Sequence, residues 1–182
     1  NAAGVSKPLL VVVTGPPASG KSSIARGLAS SLEIPFLSKD ELKERLYEVV
    51  GSGGDVEETV DTAALAILFS VTRSNLDAGV GVLVESNFDS ESDTEPFRDL
   101  AARIVQVHCG GDTDELVRTF AERSARGERH PGHDDGPEDA TEVREKIESG
   151  RWDPLEIPGE LIRIDTTDGE VDTSDLASRI RA

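Results

Sequence analysis

Apolar and polar positions along this chain switch repeatedly between a strand-like run and a helical period. Pro8 to Thr14 (PLLVVVT) is a continuous, valine-rich run, the pattern of a strand covered on both faces. After a loop over Gly15 to Gly20, Ile24, Leu28 and Leu32 recur at helical spacing and predict a helix over Lys21 to Ser31. Ile34 to Leu37 reads as a brief second strand. Ser38 and Glu41 then have the spacing of a capping box, opening a helix that Leu42, Leu46, Val49 and Val50 carry to the flexible Gly51-Ser52-Gly53-Gly54. Val60, Ala64, Ile67, Leu68 and Val71 mark the inner face of a longer helix ending near Gly79. Val80 to Val84 (VGVLV) is a buried strand that delivers Glu85 at its C-terminal end.

The second half continues the pattern. Pro96 to Ala102 predicts a short helix, Arg103 to Cys109 a strand, and Asp112 to Ala125 a helix capped by Asp112 or Thr113. From Arg126 to Gly136 the composition turns to Gly, Pro, His, Arg and Asp, which predicts an exposed mobile loop. Glu138 to Ser149 is a polar helix, Trp152 to Gly159 an extended proline-rich stretch and Leu161 to Ile164 a last strand. Asp172 or Thr173 caps a terminal helix through Ile180. Regular alternation of strand and helix predicts an α/β fold with about five parallel strands and right-handed crossovers. With no internal repeat and no dividing linker, residues 1–182 are expected to form one domain.

Charge narrows the choice of partner. The formal charge is −17, from 36 acidic and 19 basic residues, and a field of that sign repels a nucleic-acid polymer. Arginine outnumbers lysine 14 to 5; genome base composition explains that excess, and a salty cytoplasm the acidic surface, at least as well as function does. No run approaches the roughly 18 apolar residues of a membrane span, and the N-terminus lacks a basic segment followed by an apolar one. Cys109 is the only cysteine, so a reducing cytoplasm is the expected setting.

The strongest chemical signal is Gly15-Pro16-Pro17-Ala18-Ser19-Gly20-Lys21-Ser22, which matches G-x-x-x-x-G-K-[ST] at every defined position. A glycine-flanked loop bends backbone N–H groups around a β-phosphate, and the helix beginning at Lys21-Ser22-Ser23 points its positive end at the same anion. Lys21 is placed to reach the β/γ oxygens and the Ser22 hydroxyl to ligate Mg²⁺. The match lies after a buried strand and before a helix, as this chemistry requires. No Asn-Lys-x-Asp occurs to read guanine, so ATP is favoured over GTP.

Three stretches, VVVTGPPASGKSSIARGLA, FLSKDELKERLY and GVLVESNF, with a weaker RTFAERSARGERHPGH, resemble the small P-loop kinases of the AAA-domain, zeta-toxin-like group, relatives of polynucleotide kinase and chloramphenicol phosphotransferase. The resemblance runs through positions 9 to 133. It implies a three-layer P-loop fold with strand order 2-3-1-4-5, and Mg-ATP-dependent phosphorylation of a hydroxyl on a small acceptor such as a metabolite, antibiotic or nucleotide sugar.

Asp40 follows the second strand at a helix start, so it is expected at the carboxyl edge of the sheet, where α/β ligands bind. Its relatives use the matching aspartate as general base; the plainer alternative is a first-turn acid favouring the helix dipole. Glu85 resembles the strand-end carboxylate that acts on Mg²⁺ through water, and Asp165 fits the same loose pattern. Lys43 and Arg45 near Asp40, and Asn87 and Asp89 beyond Glu85, are possible acceptor contacts. Arg118, Arg123, Arg126 and Arg129 cluster in an acidic chain and suit a lid over about 118–137 that neutralises the transferring phosphoryl group. The alternative pairs them with Glu122 and Glu128. His130 and His133 flank a turn but lack further ligands for zinc. Trp152 is expected to pack rather than to line a pocket, and in related folds the turn at Asp165-Thr166-Thr167 lies beside the adenine.

Three functions therefore stand at this point: a kinase of small hydroxyl acceptors, a nucleotide or polynucleotide-end kinase, and an ATP-binding regulator. A toxin role would rest on family analogy alone.

Overall fold

Leu9–Thr14 forms β1, the central strand, because a run of five aliphatic residues, with side chains on both faces, buries well only inside a sheet. The structure, a computed structural model, describes residues 7–51, 56–126, 140–167 and 169–182. After β1 come α1 (Lys21–Leu32), β2 (Phe36–Ser38), α2 (Lys39–Val50), α3 (Val56–Asp77) and β3 (Val82–Glu85). The chain continues through α4 (Glu95–Arg98), β4 (Arg103–Gly110), α5 (Thr113–Ala125), α6 (Ala140–Glu148), β5 (Glu160–Asp165) and α7 (Thr173–Arg181). All pairings are parallel and the strand order is β2-β3-β1-β4-β5, as the resemblance implies.

Alternation along β1 splits the core into two layers. Val11 and Val13 pack with Ile24, Leu28, Leu176 and Ile180 of α1 and α7. Leu10 and Val12 face the other way, onto Leu68 and Leu76 of α3 and onto Phe88 and Phe97. A third cluster of Phe120, Val143 and Trp152 joins α5 to α6, with Ala18 and Ile147 at its margin. Trp152 packs in this cluster, as expected, and it also lines a small cavity of about 160 Å³ beside Pro16, His108 and Ile147.

Several predictions of detail are corrected. The inner stripe of α3 is Val60, Ala64, Leu68, Thr72 and Leu76, a strict four-residue spacing. Ile67 and Val71 lie about a hundred degrees round the helix from it and are 37% and 38% exposed. Thr72 enters the stripe because its hydroxyl donates to the Leu68 carbonyl at 2.7 Å. Buried Lys43 and Tyr47 replace Val49 and Val50 as the inward residues of α2. The helix predicted over Pro96 to Ala102 ends at Arg98, and Asp112 and Asp172 are the N-caps of α5 and α7. Among the described residues, no helix is long and apolar enough to cross a membrane.

Candidate active site

The loop after β1 holds the shape a phosphate cradle needs. Gly15 has φ +144°, and a Cβ there would lie 2.0 Å from the Cys109 carbonyl oxygen of β4, so only glycine permits this approach. Gly20, at φ +70°, turns the chain into α1, and Ala18 adopts a left-handed φ of +63°. Pro16 and Pro17 are buried, as is Ser19, whose Oγ has no hydrogen-bond partner among the described residues. Ser22 and Ser23 open the first turn of α1 to solvent. Cys109 behind the loop is a packing residue, its thiol pushed up to about 12 by burial.

Glu85 is where the site converges. It ends β3, beside β1 in register with Val13, and is 1% exposed. Ser22 Oγ donates to its Oε1 at 3.2 Å, with Lys21 Nζ 4.0 Å from the same oxygen. Ser38 Oγ donates to Oε2 at 2.9 Å. Lys21 also donates to the Pro16 carbonyl at 3.3 Å, so its ammonium lies folded against the loop. Burial pushes the Glu85 carboxyl up and the Lys21 ammonium down, and each charge opposes the other's shift. Asp40 lies exposed in the first turn of α2, and its charge reaches both groups.

The predicted capping box does not form. Ser38 occupies the N-cap of α2 but makes no side-chain cap bond, and Glu41 pairs with Arg26 of α1. The buried carboxylate takes the hydroxyl instead, because a charge removed from water needs hydrogen-bond partners. The end of β5 carries the second candidate carboxylate. Asp165 is exposed, two strands from β1, and accepts from the Thr167 amide at 2.9 Å.

Beside the loop opens a cavity of about 510 Å³, lined by Ala18, Ser19, Gly20 and Ser23 on one side and by Thr166, Thr167, Glu170 and Thr173 on the other. The turn after β5 thus borders this cavity through Thr166 and Thr167. Arg123 and Thr119 of α5 complete the wall. Thr119, Glu170 and Thr173 are additions that sequence reading missed. The available signal was Gly27, a glycine inside a helical pattern, where a Cβ would come 2.9 Å from Thr173 Oγ1.

The arginines divide. Arg123 faces the cavity, its charge reaches Lys21, and among the described residues it has no carboxylate partner. Arg118 is paired with Glu115 and Glu122, and Arg126 with Glu122 at 3.4 Å. Arg129, His130, His133 and the lid segment beyond Arg126 lie outside the described residues. On the α2 side, Lys39 and Lys43 both bond Asp61 of α3, at 2.8 and 3.0 Å. Burial pushes the Asp61 carboxyl up, but the two lysines outweigh it and hold the group below its ordinary value. Arg45 pairs with Glu48 on the surface. Asp89 accepts from the Glu91 and Ser92 amides and pairs with Arg151, so it shapes its loop, whereas Asn87 has a buried Oδ1 without a partner among the described residues.

The profile of the AAA-domain family matches residues 10–145. The chain belongs to the AAA-domain family. A candidate kinase from Chloroflexus aurantiacus J-10-fl is 33% identical, with 97% of this chain and 98% of that one covered and a TM-score of 0.85. Kti12 from Chaetomium thermophilum, solved with ADP-AlF3, is 21% identical over 94% of this chain and 97% of that one, with a TM-score of 0.63. Cytidylate kinase from Ignicoccus hospitalis is 45% identical over 42 residues, 23% of this chain and 24% of that enzyme, so the chain spans about a quarter of that curated relative. This AAA-domain chain therefore has the fold of the small P-loop kinases, with their nucleotide-binding loop in place.

Proposed function

We propose that this protein transfers the γ-phosphoryl group of ATP to a hydroxyl of a small acceptor: a metabolite, antibiotic or nucleotide sugar. The observation that carries the reading is the meeting of Lys21, Ser22 and Ser38 on buried Glu85, with Asp40 at the same sheet edge. Backbone amides from Gly15 to Ser23 and the orphaned Ser19 hydroxyl bind the phosphates, and Lys21 swings from the Pro16 carbonyl to the β/γ oxygens. Asp40 takes the proton of the acceptor hydroxyl. The hydroxyl oxygen bonds to the γ-phosphorus as the bond to the β–γ bridging oxygen breaks, and ADP leaves. Arg123, with Arg126 and Arg129 in a lid over about 118–137, offsets charge on the moving group.

Ser22 Oγ and the Glu85 carboxylate are hard oxygen donors that fit Mg²⁺. Among the described residues no cluster of three or more carboxylate, histidine or cysteine side chains stands ready for a metal, so the ion would depend on nucleotide phosphates for its remaining ligands. Bound there, it neutralises phosphate charge. The lone, buried Cys109 suits a reducing cytoplasm.

The test is incubation with Mg-ATP and a pooled metabolite library, scoring products heavier by one phosphate. ADP formed only with an acceptor supports the kinase; ATP bound with no product from any pool makes the protein a regulator. The stretch shared with cytidylate kinase favours a second reading, a nucleoside monophosphate acceptor, which the same experiment detects as a diphosphate product.

A further inference from the structure

Ser38 breaks a local rule. It stands at the N-cap of α2 with extended backbone (φ −109°, ψ 130°), where a serine side chain ordinarily accepts from the helix's own amides. It is buried, gives up that role and donates to Glu85 Oε2. The two oxygens of Glu85 are thereby divided, Oε1 to the phosphate loop through Ser22 and Lys21, and Oε2 to the residue that opens α2. Asp40 is two residues further along. Helix ends that forgo a cap in favour of a buried neighbour mark places where position outranks local stability.

We infer that Ser38 is a positioning residue: its hydroxyl fixes the Glu85 carboxylate so that Oε1 faces Ser22, and ties the helix carrying Asp40 to the metal-linked edge of the phosphate loop. The inference rests on the kinase reading. Partners that orient a metal-linked carboxylate from behind change metal affinity or activity by roughly 10- to 100-fold when removed. Lys39 and Lys43, neighbours of Asp40, are committed to Asp61 and do not substitute for this bond.

The experiment titrates ATP into the full chain by calorimetry, with and without Mg²⁺, for wild type, Ser38→Ala and the isosteric pair Ser38→Thr and Ser38→Val. The tighter binding that Mg²⁺ confers is expected to weaken about tenfold in the alanine and valine variants and to return in the threonine variant. Binding of metal-free ATP is expected to change less than the Mg²⁺-dependent gain in all of them, since no residue of the phosphate loop itself is substituted. A merely structural serine would lower the thermal midpoint without separating the two titrations. An unchanged Mg²⁺ gain in Ser38→Val overturns the inference and leaves the kinase reading standing. Wild type that binds no ATP at all overturns both. Should the alanine variant fail to fold, the threonine and valine pair decides.

Discussion

The two ends of the candidate site hold charge in opposite ways. Around Glu85, a carboxylate, an ammonium and the Ser38 hydroxyl meet in the interior, and the Ser22 hydroxyl reaches them from the exposed first turn of α1, so these groups are held together before any ligand arrives. At the end of α5 the arginines stand in water, and two of the three described are paired with glutamates one helical turn away. Buried charges act strongly at short range and pay little reorganisation during reaction, whereas exposed pairs are screened and contribute little until a ligand draws them in. The first region is preorganised; the second is a reserve of charge.

That contrast is best challenged by substitutions on both sides. The largest effect on turnover is expected from Asp40→Asn, a loss of roughly 10² or more with ATP affinity nearly intact. Steady-state kinetics beside calorimetry checks it, and full activity would remove Asp40 from the mechanism. Gly15→Ala adds a Cβ 2.0 Å from the Cys109 carbonyl oxygen at a φ that L-residues avoid. It should destabilise the protein by on the order of 3 kcal/mol, read by denaturant unfolding. Arg123→Ala is expected to lower turnover about tenfold while ATP affinity changes less, because this arginine alone of the described three faces the cavity. Equal losses in Arg123→Ala and Arg118→Ala would erase the distinction between them.

A smaller effect tests a carboxylate between these extremes. Asp61 titrates below its ordinary value in the folded state, so its contribution to stability is present above the unfolded pKa near 3.8 and is lost as pH falls through the lowered folded value. The thermal midpoint of Asp61→Asn should lie below that of wild type at neutral pH, and the gap should close in acid. A gap that persists there would mean that the Asp61 contribution is packing. Arg118→Ala, at the bottom of the scale, should change stability by no more than about 0.5 kcal/mol.

Much of this was written locally in the chain. The phosphate loop lies within eight consecutive residues, and its chemistry depends on backbone curvature that Gly15 and Gly20 permit. Val80 to Val84 announced a buried strand leading into Glu85, which forms over Val82–Glu85 with Val80 left exposed, and of the paired cap candidates Asp112 and Asp172 hold the helix starts. Where local patterns competed with neighbours, they lost. Ser38 and Glu41 have the spacing of a capping box, yet Glu85 and Arg26, distant in sequence, claim them.

The sequence by itself determined the order of elements, the phosphate loop and the sign of the surface, because each follows from contacts or periods a few residues long. Only the tertiary structure decided which groups share Glu85, which arginine faces the cavity, and that Thr119, Glu170 and Thr173 line it. Those choices depend on strand order and helix rotation, which bring together side chains as far apart as Ser22 and Glu85, and no local pattern encodes a distance across that gap.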